Sequence, residues 1–291
     1  MRHVRLSERK RELVLQKTQA ELKLWSSLHH CNILPFIGIC FPPITDSETS
    51  FSLVSPWMNN GTISEYVNKN PEVDRIALMI DIADGIAYLH AKGIVHGDLK
   101  GSNVFITNGR RAVLADFGMS RLEEIDAVFT SSSIHSSTSY NLRGTVRYMA
   151  PELLVDETTR HTQAADMWAF GCVVLEIICG TLPYAQWNKD PQIIHRIGTG
   201  EFPQHAADLL LGGPLDYKEC ITRLDSFNTG QIRFKEHLKF WIVCCDCWSP
   251  NPRQRPSALS MASILKTYDD SELFNHSKKW FRDFVANLEI S

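Results

Sequence analysis

Several absences narrow what this chain can be. It has no long apolar run: the longest, Met167 to Leu175, stops at Glu176, well short of the ~20 residues that span a bilayer. It has no excess of positive charge. Thirty Lys and Arg stand against 33 Asp and Glu, a net charge of −3, so neither nucleic-acid binding nor membrane-surface attachment through a basic field is expected. Its first dozen residues are not expected to act as a signal peptide, because Arg2, Arg5, Glu8, Arg9, Lys10, Arg11 and Glu12 crowd them. Eight cysteines without a secretory signal point to reduced thiols in the cytosol or nucleus, and a cytoplasmic protein is expected. Nor is there a second Cys/His pair near Cys244, Cys245 and Cys247 to complete four zinc ligands. Those three read as small apolar residues on a buried helix.

What remains is an ordinary globular composition. The 291 residues are 44% hydrophobic and 22% charged, enough for one large domain or two small ones. Ser7 to about Leu28 lacks Gly and Pro and reads as one helix, with Leu13, Lys17, Glu21 and Leu24 or Trp25 along neighbouring faces. Two short apolar runs, Ile33–Phe41 and Phe51–Met58, flank the polar stretch Pro42–Ser50 and predict two strands joined by a loop. Ile76, Ile80, Ala83 and Ala87 fall on one face of a long helix ending near His90. Asp166–Cys179 is apolar nearly all round and predicts a buried helix. Between these helices, Val104–Ile106 and Ala112–Leu114 are separated by Asn108-Gly109, a hairpin signal. Phe129–Tyr140 is dominated by Ser and Thr and reads equally as a disordered loop or a cluster of phosphorylation sites. There is no internal repeat.

The chemistry concentrates in His96-Gly97-Asp98-Leu99-Lys100-Gly101-Ser102-Asn103, followed thirteen residues later by Asp116-Phe117-Gly118 and then by Ala150-Pro151-Glu152. Each short motif is weak alone. In this order and spacing they resemble the catalytic loop, the D-F-G motif and the A-P-E motif of eukaryotic protein kinases. Further marks extend the resemblance from about Ser7 to Leu265: His30-Cys31-Asn32-Ile33 resembles the turn after the regulatory αC helix, and nine residues before it lies Glu21, at that helix's glutamate position. Leu53–Met58 resembles the last small-lobe strand and hinge, Asp166–Gly171 the helix anchoring the catalytic loop, and Cys247–Pro256 the late arginine motif, with Arg255 expected to pair with Glu152. The wording of Gly144–Glu152 is closest to the tyrosine-kinase-like group of serine/threonine kinases.

The resemblance implies an α+β, two-lobed fold: a small-lobe remnant over 1–58, a mainly helical large lobe over 59–268 and a helical tail over 269–291. It implies ATP and Mg2+ as cofactors and protein substrates as partners. Asp98 would accept the hydroxyl proton and Lys100 would stabilise the transferring phosphoryl group. Asn103 and Asp116 would hold magnesium, whose preference for hard oxygen ligands suits them. Thr145 would touch Asp98 and Lys100 from the segment that receives substrate. Ser55 would be the gatekeeper, Met58 would offer backbone groups to adenine, and Phe105 would floor the base.

The pattern departs from the family in two places. No glycine-rich loop and no V-A-I-K lysine precede the αC-like helix, so Glu21 lacks its expected partner, and weak ATP binding with little catalysis is expected of the chain as written. A contact between Lys17 and Glu21 along the helix surface would not replace that lysine. The expectation is either an N-terminally truncated kinase domain whose missing strands lie upstream or a pseudokinase scaffold, with the retained Asp98, Lys100, Asn103 and Asp116 favouring the first. The second departure is Gly97, where an arginine usually pairs with a phosphorylated loop residue. Activation is therefore expected not to depend on a phosphate clamped beside this loop. Leu209–Lys239 reads as a partner-binding insertion or an irregular loop. Trp280, Phe284 and Leu288 lie at helical spacing in the tail, suited to packing on the large lobe or to docking a partner.

Overall fold

The computed structural model describes residues 19–40, 52–122, 145–155, 160–180, 182–203 and 243–267. Phe129–Tyr140, Leu209–Lys239, the tail 269–291 and the first part of the expected opening helix lie outside the described residues. Within them the chain is α+β, with three two-stranded antiparallel sheets.

Helix α1 covers 19–26, and its last turn closes through Ser27 N–H to Leu24 (3.0 Å) and Leu28 N–H to Trp25 (3.1 Å). The two expected strands are β1, Gly38–Cys40, and β2, Ser52–Val54, paired with Ile39 opposite Leu53. Each is shorter than its apolar run. Pro35 has no N–H to donate to a ladder, and Pro56 stops pairing after β2. Helix α2, Ile63–Lys69, starts from a reciprocal cap in which Thr62 and Glu65 satisfy each other's backbone N–H groups.

Helix α3, Arg75–Ala91, opens on Asp74, whose carboxylate accepts from Ala77 N–H at 3.0 Å. Its buried surface is wider than the predicted stripe. Leu78, Met79, Ile82, Ile86 and Leu89 are almost fully buried, whereas Ile76, Ile80 and Ala87 are only half-buried against them. The reason is that α3 is covered on several sides, by the hairpin strand at Ala112–Leu114, by a central helix and by the last described helix.

Strand β3, Ile94–Val95, pairs with β6, Arg121–Leu122, and between them β4, Val104–Ile106, and β5, Ala112–Leu114, form the predicted hairpin in the register Phe105 opposite Val113. A short turn, Glu152–Val155, is α4. Helix α5, Gln163–Cys179, is capped by Thr162 through Ala165 N–H (3.1 Å) and ends at Gly180 with φ +66°. It is buried nearly all round, as its composition predicts. Helix α6 spans Asp190–Gly198, α7 covers 243–247 and α8 spans Ala258–Lys266. The thiols of Cys244, Cys245 and Cys247 are buried on and beside α7. Helix α8 lies along α3, tied at one point by Lys266 Nζ to Asp84 (2.8 Å). No helix among the described residues is long and apolar enough to cross a membrane.

Candidate active site

The loop between β3 and β4 is hung from the start of α5. Asp166 accepts backbone N–H groups from His96 (2.8 Å) and Gly97 (3.0 Å), and its Oδ2 also meets His90 Nε2 at 2.9 Å. Burial alone would raise this carboxyl, but His90, His96 and the Gly97 N–H outweigh it and hold Asp166 below the usual carboxylate range. Gly97 itself sits at φ +78°, and a Cβ there would lie 2.9 Å from the Met119 carbonyl. The residue is thus fixed by both conformation and space.

Downstream of this anchor the loop gathers four of the expected residues. Lys100 Nζ donates to Asp98 Oδ2 at 2.6 Å and to Thr145 Oγ1 at 3.2 Å. Thr145 Oγ1 donates to Asp98 Oδ1 at 3.3 Å. Asn103 Nδ2 donates to both the carbonyl (2.8 Å) and the carboxylate (3.1 Å) of Asp98. Both oxygens of Asp98 are therefore held in place, and the Asn103 amide presents its Oδ1 elsewhere. Asp116 joins them through the backbone, because Ala115 N–H donates to the Asn103 carbonyl at 2.9 Å. Asp116 is in the left-handed region at φ +64°, a conformation that costs ~1 kcal/mol or more for such a residue and concentrates at functional sites.

Asn103 and Asp116 offer hard oxygen donors of the kind magnesium takes, and the amide nitrogen of Asn103 is committed to Asp98. The donor set therefore fits a divalent cation. Among the described residues there is no cluster of three His, Cys, Asp or Glu side chains arranged for a metal.

Glu21 is placed differently. Its carboxylate borders Gly118 together with that of Asp116. Burial first, and the Asp116 charge second, push it above the usual carboxylate range. Among the described residues no Lys or Arg pairs with it. The segment after Met58 runs beside β4: Thr62 bridges Phe105, and the Gly61 carbonyl accepts from Ile106 N–H at 3.0 Å. Met58 and Phe105 are half-buried against the core. The Met58 carbonyl is taken by Gly61 N–H at 3.0 Å, so this turn uses one of the two backbone groups expected to face adenine. Ser55 is half-buried at the end of β2.

Three features were not foreseen. Phe36, Trp25, Phe117 and His96 pack in series at tilted angles, with ring centroids 5.4, 6.1 and 5.6 Å apart. The series joins α1 to the histidine of the Asp98 loop through Phe117. In the sequence Trp25 is only one of two candidates for a helix face, and no spacing rule links residues so distant in sequence. The second feature is Glu176, which ends the apolar run in α5. It accepts from Ser64 Oγ and, at 2.7 Å, from Tyr148 Oη. Burial pushes its carboxyl up, with the Ser64, Tyr148 and Gly101 N–H donors offsetting only part of the effect. The third is Arg147, which reaches three carbonyls of a loop beyond α5. The pairing expected for Arg255 is present: Nη1 and Nη2 meet the two carboxylate oxygens of Glu152 at 2.6 and 2.7 Å.

The comparisons agree with this geometry. Residues 1–266 match the protein kinase domain, and the chain belongs to that family. It is 29% identical over 257 residues to the mitogen-activated protein kinase kinase kinase mkh1 of Cytospora mali, covering 86% of this chain and 12% of that protein. It is 29% identical over 234 residues to mouse mitogen-activated protein kinase kinase kinase 4, covering 80% and 14%. It is 28% identical over 269 residues to the serine/threonine/tyrosine-protein kinase HT1 of Arabidopsis thaliana, covering 90% and 57%. The chain thus spans from 12% to 57% of these relatives' own lengths.

Proposed function

We propose that the chain transfers the γ-phosphoryl group of ATP to serine or threonine hydroxyls of proteins. The observation that carries this reading is the Asp98 carboxylate, held at both oxygens by Lys100, Asn103 and Thr145. In-line transfer demands little covalent chemistry of the protein and much positioning. Asp98 orients the incoming hydroxyl and takes its proton. Lys100, already at the carboxylate, places its charge beside the transferring group. Asn103 and Asp116 would hold a magnesium ion, which would supply positive charge to neutralise the phosphates. Lys100 and the serine/threonine kinases that the Gly144–Glu152 wording resembles support serine and threonine over tyrosine as acceptors. In this reading 1–58 belongs to the small lobe, 59–268 to the large lobe and 269–291 to a tail, and Ser55, Met58 and Phe105 would line the ATP site. The cysteine usage supports a cytoplasmic setting.

A second reading, a weak or inactive pseudokinase that scaffolds other proteins, is favoured by one observation: Glu21 borders Gly118 beside Asp116, and among the described residues no Lys or Arg pairs with it. Incubation with labelled ATP and dephosphorylated casein, with Mg2+ or with excess chelator, separates the two. The kinase reading expects Mg2+-dependent phosphoserine and phosphothreonine. Phosphotyrosine as the main product, or no transfer, contradicts it.

A further inference from the structure

Arg147 stands between Thr145, whose hydroxyl reaches Asp98, and Tyr148, which donates into buried Glu176. Its guanidinium leads elsewhere. Nη1 donates to the carbonyls of Pro183 (2.8 Å) and Tyr184 (2.7 Å), and Nη2 to that of Trp187 (2.7 Å). All three acceptors belong to the loop between α5 and α6, and α6 itself packs on the turn Val146–Tyr148. A planar fork can serve three converging carbonyls at once; an ammonium or a neutral amide cannot match it.

The receiving loop is held in other ways too. Tyr184 is at φ +55°, a strained conformation for a non-glycine residue that persists only where its surroundings over-determine it. Its ring is 1% exposed and its hydroxyl donates to the Glu201 carbonyl at 2.9 Å. The Tyr184 carbonyl also accepts from Trp187 N–H at 2.9 Å. Arg196 lies over the Trp187 ring at 4.4 Å and pairs with Glu201 at 2.5 Å. The segment carrying Arg147 is itself seated on the core through fully buried Val146 and through Tyr148, which donates to Glu176, and the Arg147 guanidinium adds its lateral tie to the loop. A cavity of about 20 Å³, room for about one water, is lined by Thr145, Tyr148, Met149, Leu153 and Ala165.

From this geometry we propose that Arg147 is a positioning residue for the protein substrate. It locks the Thr145–Met149 segment onto the Pro183–Trp187 loop, so that the acceptor chain meets one fixed wall built from both. Arg147 does not touch the reacting atoms; it acts through the placement of the Val146–Met149 turn against the Pro183–Trp187 loop. The inference rests on the phosphotransfer reading of Asp98, Lys100 and Thr145.

The test compares the full chain with its Arg147→Lys and Arg147→Gln variants in two reactions: phosphorylation of dephosphorylated casein, and hydrolysis of ATP with water as acceptor. Loss of charged hydrogen bonds to the loop is expected to raise KM for casein roughly tenfold in Arg147→Gln. Casein kcat, KM for ATP and the hydrolysis rate stay within about twofold, and Arg147→Lys recovers part of the loss. If both variants keep the casein KM of the parent, or if hydrolysis and casein phosphorylation fall together with the melting temperature, the proposal is overturned. Should Arg147→Gln fail to fold, Arg147→Lys, which keeps the charge and stem, carries the same comparison. A parent chain that phosphorylates no casein removes the kinase reading and this inference with it. A parent that does so with a KM insensitive to Arg147 removes the inference alone.

Discussion

Lys100 and Asp98 are two residues apart in sequence and joined at their charged ends, Nζ lying 2.6 Å from Oδ2. Their side chains are only 21% and 11% exposed, so the pair is largely shielded from the solvent screening that weakens surface ion pairs. With Lys100 removed, Asp98 keeps its Asn103 donors but loses the adjacent charge. Lys100→Ala is expected to lower kcat for casein by about 10²–10³, the usual loss for one preorganised charge donor. Steady-state kinetics check this, and a decrease smaller than about threefold would show that Lys100 is not part of the transfer chemistry.

Arg255 and Glu152 test the packing around the site. The Arg255 side chain is 0% exposed, and that of Glu152 is 20% exposed. Arg255 Nε and Nη1 also donate to the carbonyls of Ser249 (3.0 Å) and Ala164 (3.0 Å). Removing one partner of such a pair leaves the other charge buried. Arg255→Ala is expected to cost about 3–5 kcal/mol in urea unfolding, and Arg255→Met combined with Glu152→Leu to recover much of it. A double variant no more stable than Arg255→Ala would locate the loss in the two carbonyls rather than in the ion pair.

Glu176 makes stability depend on pH in a defined direction. Burial raises its folded pKa above the unfolded value of 4.5. Its contribution is therefore full below that value and is lost as pH rises through the raised folded pKa. Glu176→Gln removes the charge but keeps a group able to meet Ser64 and Tyr148. The melting temperature of the variant relative to the parent is expected to be higher at about pH 8 than at about pH 5. A constant difference across that range would mean that Glu176 titrates normally.

Gly97 combines φ +78° with a Met119 carbonyl 2.9 Å from any added Cβ. Gly97→Ala and Gly97→Arg are each expected to cost about 1–3 kcal/mol, read by thermal unfolding. Phosphatase treatment of the chain is expected to leave its activity unchanged, since glycine offers no cation to a phosphate on Thr130–Tyr140. Phosphorylation that raises activity, with the gain lost on substitution around Gly97, would contradict this.

Much of the candidate site was legible because its residues are local. Asp98, Lys100 and Asn103 share one loop, and the β4–β5 hairpin is written in Asn108-Gly109 between apolar triplets. The helix opening at Asp166–Gly171 was recognisable as an anchor for the loop, but that it anchors through the Asp166 carboxylate and a pair of backbone N–H groups was not. The illegible parts are long-range contacts to groups without a sequence signature. Arg147 binds three backbone carbonyls, which every residue possesses. Glu176 finds Tyr148 and Ser64 only once α5, the 146–148 turn and α2 have met. The tilted ring series of Phe36, Trp25, Phe117 and His96 draws on four separate segments. On α3, periodicity marked one face, but enclosure by neighbours on several sides set which residues were buried.

The central claim is that Asp98 performs phosphoryl transfer in this chain, and one comparison tests it most directly. Casein phosphorylation is measured with ATP and Mg2+ for the 291-residue chain and for its Asp98→Asn variant, whose fold is verified by an unchanged melting temperature. The account predicts slow, Mg2+-dependent transfer by the parent, lowered by a factor of about 10² or more in the variant. Transfer that is absent from both would establish the scaffold reading, and equal transfer by both would remove Asp98 from the chemistry.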